Sequence, residues 1–209
     1  SREEQLFLEP GDKRVRNYVV AIAEETIRKY PGFAGLHLDY IRYPAAVPFM
    51  PGSRFIPQGL YYGYTKPNLE AFKKAAGLDP KTMAKTFDNT KRWDDWHRTS
   101  VTNAVAEISR TTKARQPGLI ISCTVVPSLE RTYYVTAQDW NKWLREGLID
   151  YIVPMNYSED SYLVELNSAA ITNLAPEKKV HMGLGPYLLE KKPAEIQTQI
   201  KAVKKTSPQ

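Results

Sequence analysis

The chain has 209 residues, of which 42% are hydrophobic and 25% charged, the make-up of one folded domain or a large part of one. Its net charge of +6 comes from Lys and Arg interleaved with acids, as where Lys73 and Lys74 follow Glu70, so it lacks the concentrated basic stripe of a nucleic-acid interface. No apolar run approaches the roughly 20 residues that cross a bilayer, and Cys123, standing alone, excludes an internal disulfide or a multi-Cys zinc site.

The first residues, Ser1-Arg2-Glu3-Glu4, carry neither an initiator Met nor a signal-peptide pattern, which reads as a processed chain or a piece of a longer one. Leu6-Phe7-Leu8 is a brief extended run that stops at Glu9-Pro10-Gly11. Asp12 caps a helix expected over 13–30, with Val15, Tyr18, Val19, Ile22 and Ile27 on its apolar stripe. Pro31-Gly32 ends it, and residues 33–41 form the first clear strand. A loop over 44–64, rich in Pro, Gly and Tyr, leads to a helix near 68–76. Long loops beside strand ends commonly carry function.

A longer helix is expected over 90–115, then a strand over 119–126. Thr136, with Asp139 three residues on, is the expected cap of a short helix that buries Trp140, Trp143 and Leu144. Further strands fall at 149–155 and 180–184, with helices at 162–174 and 193–203. The basic group Lys191, Lys192, Lys201, Lys204 and Lys205 reads as a solvated helix face.

Apolar strands alternating with helices mean βαβ units and a parallel sheet covered by helices. No Gly-rich phosphate turn is present. Polar residues cluster instead where strands end, as in a (β/α)8 TIM barrel. Four clear strands fall short of the eight a barrel needs. The expected fold is therefore α/β, one partial TIM-type barrel spanning 1–209.

Side chains alternate faces along a strand. Leu36, Leu38 and Tyr40 share one face; Gly35, His37 and Asp39 share the other, which is expected to point inward. That places Asp39 at the site mouth, with Arg42 as its expected ion-pair partner. Ser122, Thr124 and Val126 form the matching interior row of the next strand. Asn156 shares the parity of Ile152 and Pro154 and is expected to face inward as a hydroxyl ligand, beside Tyr157 as a stacking platform. Tyr43 and Tyr187 add aromatics at the rim, and His37 lies deeper. Glu130, Glu159 and Asp160 are the other acids near strand ends, although Glu159 and Asp160 also suit a helix start. No metal-ligand spacing and no nucleophile elbow accompany them. Acids, aromatics and hydroxyl ligands together are the equipment of glycoside hydrolysis. Asp39, Glu159 and Asp160 are thus the candidate catalytic acids, and His37, Arg42, Tyr43, Asn156, Tyr157 and Tyr187 the candidate sugar ligands. No cofactor is expected. A barrel that binds carbohydrate without cutting it is the alternative.

Several segments carry a family resemblance. Leu8-Glu9-Pro10-Gly11 precedes a helix, and Gly35-Leu36-His37-Leu38-Asp39-Tyr40-Ile41-Arg42-Tyr43-Pro44 follows it. Trp93-Asp94-Asp95-Trp96-His97-Arg98 and Gly147-Leu148-Ile149-Asp150-Tyr151-Ile152-Val153-Pro154-Met155-Asn156-Tyr157 come later. Together they resemble the glycosyl-hydrolase-like family 10, a bacterial group long described as a domain of unknown function. The resemblance implies a (β/α)8 barrel, hydrolysis of a polysaccharide or cell-wall glycan, and a periplasmic, envelope or secreted location. It also implies that the clear strands are about the fourth to seventh of the barrel, with Leu6-Phe7-Leu8 ending the third. It carries Asp39 over as catalytic. Many relatives place two adjacent acids where this chain has Asp39-Tyr40, so the partner acid is open.

Overall fold

The computed structural model describes residues 7–44, 62–175 and 179–206. Leu6 and residues 45–61 of the expected Pro/Gly/Tyr loop lie outside them. The elements run α1 (Lys13–Lys29), β1 (Gly35–Leu38), α2 (Lys66–Ala76), α3 (Phe87–Arg115), β2 (Ile120–Val125), α4 (Trp140–Arg145), β3 (Tyr151–Pro154), α5 (Ser161–Leu174) and α6 (Pro193–Thr206).

Local chemistry sets the boundaries. Asp12 caps α1 by accepting the Arg14 N–H at 2.9 Å, and Arg28 and Lys29 sit in its last turn, where cations favour the helix dipole. Helix α3 begins three residues before its expected start, because the Thr86 hydroxyl accepts the Asn89 N–H and caps it there. Asp139, not Thr136, caps α4. Thr136 instead closes a turn of π-helix over Arg131–Val135 that the sequence does not announce, donating its N–H to the Arg131 carbonyl.

The three strands are parallel and lie in chain order, with His37 beside Ser122 and Ser122 beside Tyr151. The expected fourth strand is reduced to two parallel bridges, Ile152 with Val180 and Met155 with Gly183. The two bridges share one register, and the His181 and Gly183 N–H groups donate to the Ile152 and Pro154 carbonyls at 2.9 Å each, so the segment lies along β3 without forming a named strand. Among the described residues the sheet is thus an open α/β arc rather than a closed barrel, and no helix is long and apolar enough to cross a membrane.

Helices cover one sheet face. Ile121, Cys123, Val125 and Ile152 point into it and meet Val101 and Val105 of α3, Trp143 and Leu144 of α4, and Ile171 of α5. Leu36 and Leu38 pack on the same cluster, as strand parity requires. Burial drives the Cys123 thiol up to about 12, which leaves it inert at neutral pH. Asp150 ties the layers together by accepting the Ile121 N–H at 2.7 Å and pairing with Lys113 of α3 at 3.0 Å. The other face carries His37, Ser122, Thr124 and Tyr151, and all the strands end on one side of the molecule.

Candidate active site at the strand ends

Asp39 stands one residue beyond β1. Its Oδ1 accepts the Thr124 hydroxyl at 2.6 Å and the Tyr40 N–H at 2.8 Å. Its Oδ2 has no hydrogen bond among the described residues, and the residue is exposed. The carboxylate is therefore aimed by its neighbours and open to a ligand. Tyr40 has φ of 54°, a left-handed conformation that costs a non-glycine residue about 1 kcal/mol or more. This reversal brings the Tyr40 N–H onto Asp39 and turns the chain back, with the Arg42 N–H on the Tyr40 carbonyl at 2.8 Å. The expected Asp39–Arg42 ion pair does not form. Arg42 instead lays its guanidinium over the Tyr40 ring, 4.7 Å from the centroid, and donates to the Tyr43 carbonyl at 3.1 Å.

A polar row runs below Asp39. His37 Nδ1 and Ser122 Oγ are hydrogen-bonded at 2.8 Å. Ser122 pairs in register with Tyr151, whose ring meets His181 edge-on at 4.6 Å. The parity expected from the sequence for β3 is thus inverted: the register with β2 places Tyr151, not Ile152, beside Ser122, with His181 next to it. Residues Ile152, Pro154 and Asn156 face the helices, and Tyr151, Val153 and Tyr157 face the open side.

That inversion relocates Asn156, which is 1% exposed. Its Nδ2 donates to the Val164 carbonyl at 2.8 Å and to Ser168 Oγ at 3.2 Å, while its Oδ1 accepts Asn167 Nδ2 at 3.0 Å. The carboxamide is committed to α5 and holds the β3 end in place rather than facing a ligand. Tyr157 and Tyr187, 44% and 62% exposed, do meet at the rim, edge-on at 5.9 Å. Gly185 packs closely on Tyr157, since a Cβ there would lie 3.1 Å from Tyr157 Cβ.

Asp160 is the α5 cap, accepting the Tyr162 and Leu163 N–H groups at 2.9 and 3.2 Å. Glu159 and Glu130 are exposed. None of the three makes a hydrogen bond or ion pair with Asp39, Thr124 or Tyr40.

Tyr43 is buried rather than displayed. Its hydroxyl donates to Glu9 Oε1, which also accepts the Gly11 N–H at 3.0 Å. Glu9 lines a pocket of about 240 Å³ with Phe7, Arg42, Tyr43, Tyr62 and Tyr64. Burial raises the Glu9 carboxyl above its ordinary range, against the opposing pull of the Tyr43 and Gly11 hydrogen bonds. Burial and the facing Glu9 likewise hold the Tyr43 phenol well above its usual value. Glu9 was legible in principle: it is an acid directly after an apolar run, by the same rule that selected Asp39.

Behind Tyr43 lies His97 of α3, whose ring sits 4.6 Å from Tyr43 and 4.3 Å from Trp93. Part of the residue reaches the surface, but its Nε2 is sealed from solvent against Gly63, which has φ of 83° and leaves no room for a Cβ. Burial, aided by nearby Arg98, lowers its pKa to about 3. The folded chain thus keeps His97 neutral, whereas the unfolded chain protonates it below about 6.5. The contribution of His97 to stability is full above pH 6.5 and is lost as pH falls toward 3. At about 1.4 kcal/mol per unit, roughly 2 kcal/mol goes between pH 6.5 and 5. Urea titrations at the two pH values are expected to show that fall in the parent and a much smaller one in His97→Leu.

The described fold and rim define a parallel α/β protein with an exposed carboxylate and paired tyrosines at the C-terminal ends of its strands. The chain belongs to the glycosyl hydrolase-like 10 family, whose model matches residues 1–192. It is 27% identical over 203 residues to glycosyl hydrolase YngK of Bacillus subtilis (strain 168), covering 87% of this chain and 34% of that protein. It is 23% identical over 168 residues to glycosyl hydrolase DigH of Escherichia coli (strain K12), covering 74% of this chain and 32% of that one. The chain therefore spans about a third of the length of these curated relatives.

Proposed function

We propose that this chain is an arc of a TIM-type barrel that binds a polysaccharide or cell-wall glycan and cleaves it by carboxylate catalysis at Asp39. The observation that carries the reading is the half-anchored Asp39 carboxylate. Thr124 and the Tyr40 N–H fix Oδ1 and leave Oδ2 for an anomeric carbon or an attacking water. Tyr157 and Tyr187 supply apolar faces at the same end of the sheet, where sugar rings stack. Arg42, stacked on Tyr40 and donating to the Tyr43 carbonyl, is placed beside the site as the sugar-binding cation of this reading. His37 and Ser122 line the row beneath. Family membership and the relatives' names agree with this class of reaction. The reading takes an envelope or secreted location, which the family resemblance suggests.

A non-catalytic glycan-binding barrel is the second reading. It draws on the capping role of Asp160 and on the lack, among the described residues, of a hydrogen bond or ion pair from Glu130 or Glu159 to the Asp39 cluster. Reducing-end release separates the two. The hydrolase reading expects new reducing ends from peptidoglycan glycan strands or from one of a panel of plant and microbial polysaccharides. Retention of a glycan on the protein with no release from any of them would favour the binding reading.

A further inference from the structure

We propose that Glu9 is the proton-donating carboxyl that works with Asp39, a role that rests on the hydrolase reading above. Glu9 and Asp39 are built alike. Each follows an apolar segment at the strand-end side of the sheet, and each has one oxygen fixed by two donors. For Glu9 the donors are the Tyr43 hydroxyl and the Gly11 N–H, both on Oε1. Oε2 makes no hydrogen bond among the described residues and is not sealed off from solvent. A carboxyl that spends one oxygen as an acceptor keeps the other to carry and deliver a proton.

The surroundings divide the labour. Asp39 is exposed, with a hydroxyl and an amide N–H both anchoring one oxygen. Glu9 sits in a partly enclosed pocket walled by Phe7, Tyr43, Tyr62 and Tyr64, where loss of water favours the neutral acid. Two carboxyls in unlike environments are the arrangement that separates an acid from a base or nucleophile. The residues following β1 connect the two segments. Tyr43 holds Glu9, and Arg42 lies near the rings of both Tyr40, the neighbour of Asp39, and Phe7, two residues before Glu9, whose centroids are 6.2 Å apart. Glu130, Glu159 and Asp160 have no comparable link.

In the step itself, the Glu9 proton moves to the glycosidic oxygen as the bond from that oxygen to the anomeric carbon breaks. The bonding pair leaves with the oxygen. Either Asp39 bonds to the anomeric carbon as the glycosidic bond breaks, and water then displaces it and gives its proton to Glu9, or water adds to that carbon directly and gives its proton to Asp39; the pair ends with its starting charge.

The test compares the parent with Glu9→Gln on an unactivated glycan and on a dinitrophenyl glycoside of the same sugar, whose leaving group departs without a proton. Gln keeps an acceptor for Tyr43 and Gly11. The expected result is a fall of about 10²–10⁴ on the glycan, a far smaller fall on the activated glycoside, and loss of the alkaline limb of the pH–rate profile. Tyr43→Phe is the second variant. It removes a hydrogen bond that favours the ionised form, so the alkaline limb is expected to move to higher pH. An undiminished glycan rate in Glu9→Gln, an equal fall on both substrates, or an alkaline limb unmoved in Tyr43→Phe overturns the role of Glu9 and leaves the hydrolase reading standing. A parent that releases nothing from either substrate overturns both.

Discussion

Trp143→Ala is expected to destabilise the fold by about 3–5 kcal/mol, as a lower urea midpoint at an unchanged slope. Trp143 is 0% exposed and lies at the centre of the cluster formed by β2, β3, α3 and α4. Truncation removes a large apolar surface from a close-packed site and leaves a cavity that rigid neighbours fill only in part. A second cost comes from the indole N–H, which donates to the buried Thr102 hydroxyl at 2.8 Å. Trp143→Phe keeps most of the volume but leaves that hydroxyl without its donor. It should cost about 1–3 kcal/mol. Tyr162, 68% exposed on α5, is the contrast; Tyr162→Ser should stay within about 0.5 kcal/mol of the parent. Equal midpoints for Trp143→Ala and Tyr162→Ser would place the core elsewhere.

The elements were largely legible because their signals are local. Asp12, Gly77 and Gly147 punctuate the helices where the sequence says they should, and alternation along 35–39 separates Leu36 and Leu38 from His37 and Asp39. What failed was non-local. The run 149–157 is apolar on both faces near its start, so parity alone had no reference, and Asn156 was assigned to the open side. Only pairing with β2, which sets Tyr151 beside Ser122, fixes the register. Tyr43 looked like a rim aromatic because its partner, Glu9, is 34 residues away in sequence. The π-helix at Arg131–Val135 has no sequence pattern of its own. It rests on Arg98 of α3, whose guanidinium lies 3.8 Å from the Tyr133 ring.

For the site, the rule that selected Asp39 was sound as a rule of place: an acid ending a strand stands on the side where all the strands of a parallel sheet end. Glu9, directly after Leu6-Phe7-Leu8, meets the same description. Applied to Asp160, the rule meets the competing role of a helix cap, which the structure shows that residue to fill.

The central claim is that Asp39 performs chemistry and not only binding, and one substitution tests it most directly. Asp39→Asn preserves an Oδ1 that accepts from Thr124 and the Tyr40 N–H, so fold and sugar contacts should persist. It removes the negative charge that must attack carbon or take a proton from water. Calorimetric binding and reducing-end release are to be measured on the same glycan for parent and variant. The expected result is affinity within a few-fold of the parent and release lower by about 10³-fold or more. Release at the parent rate by Asp39→Asn would contradict the account.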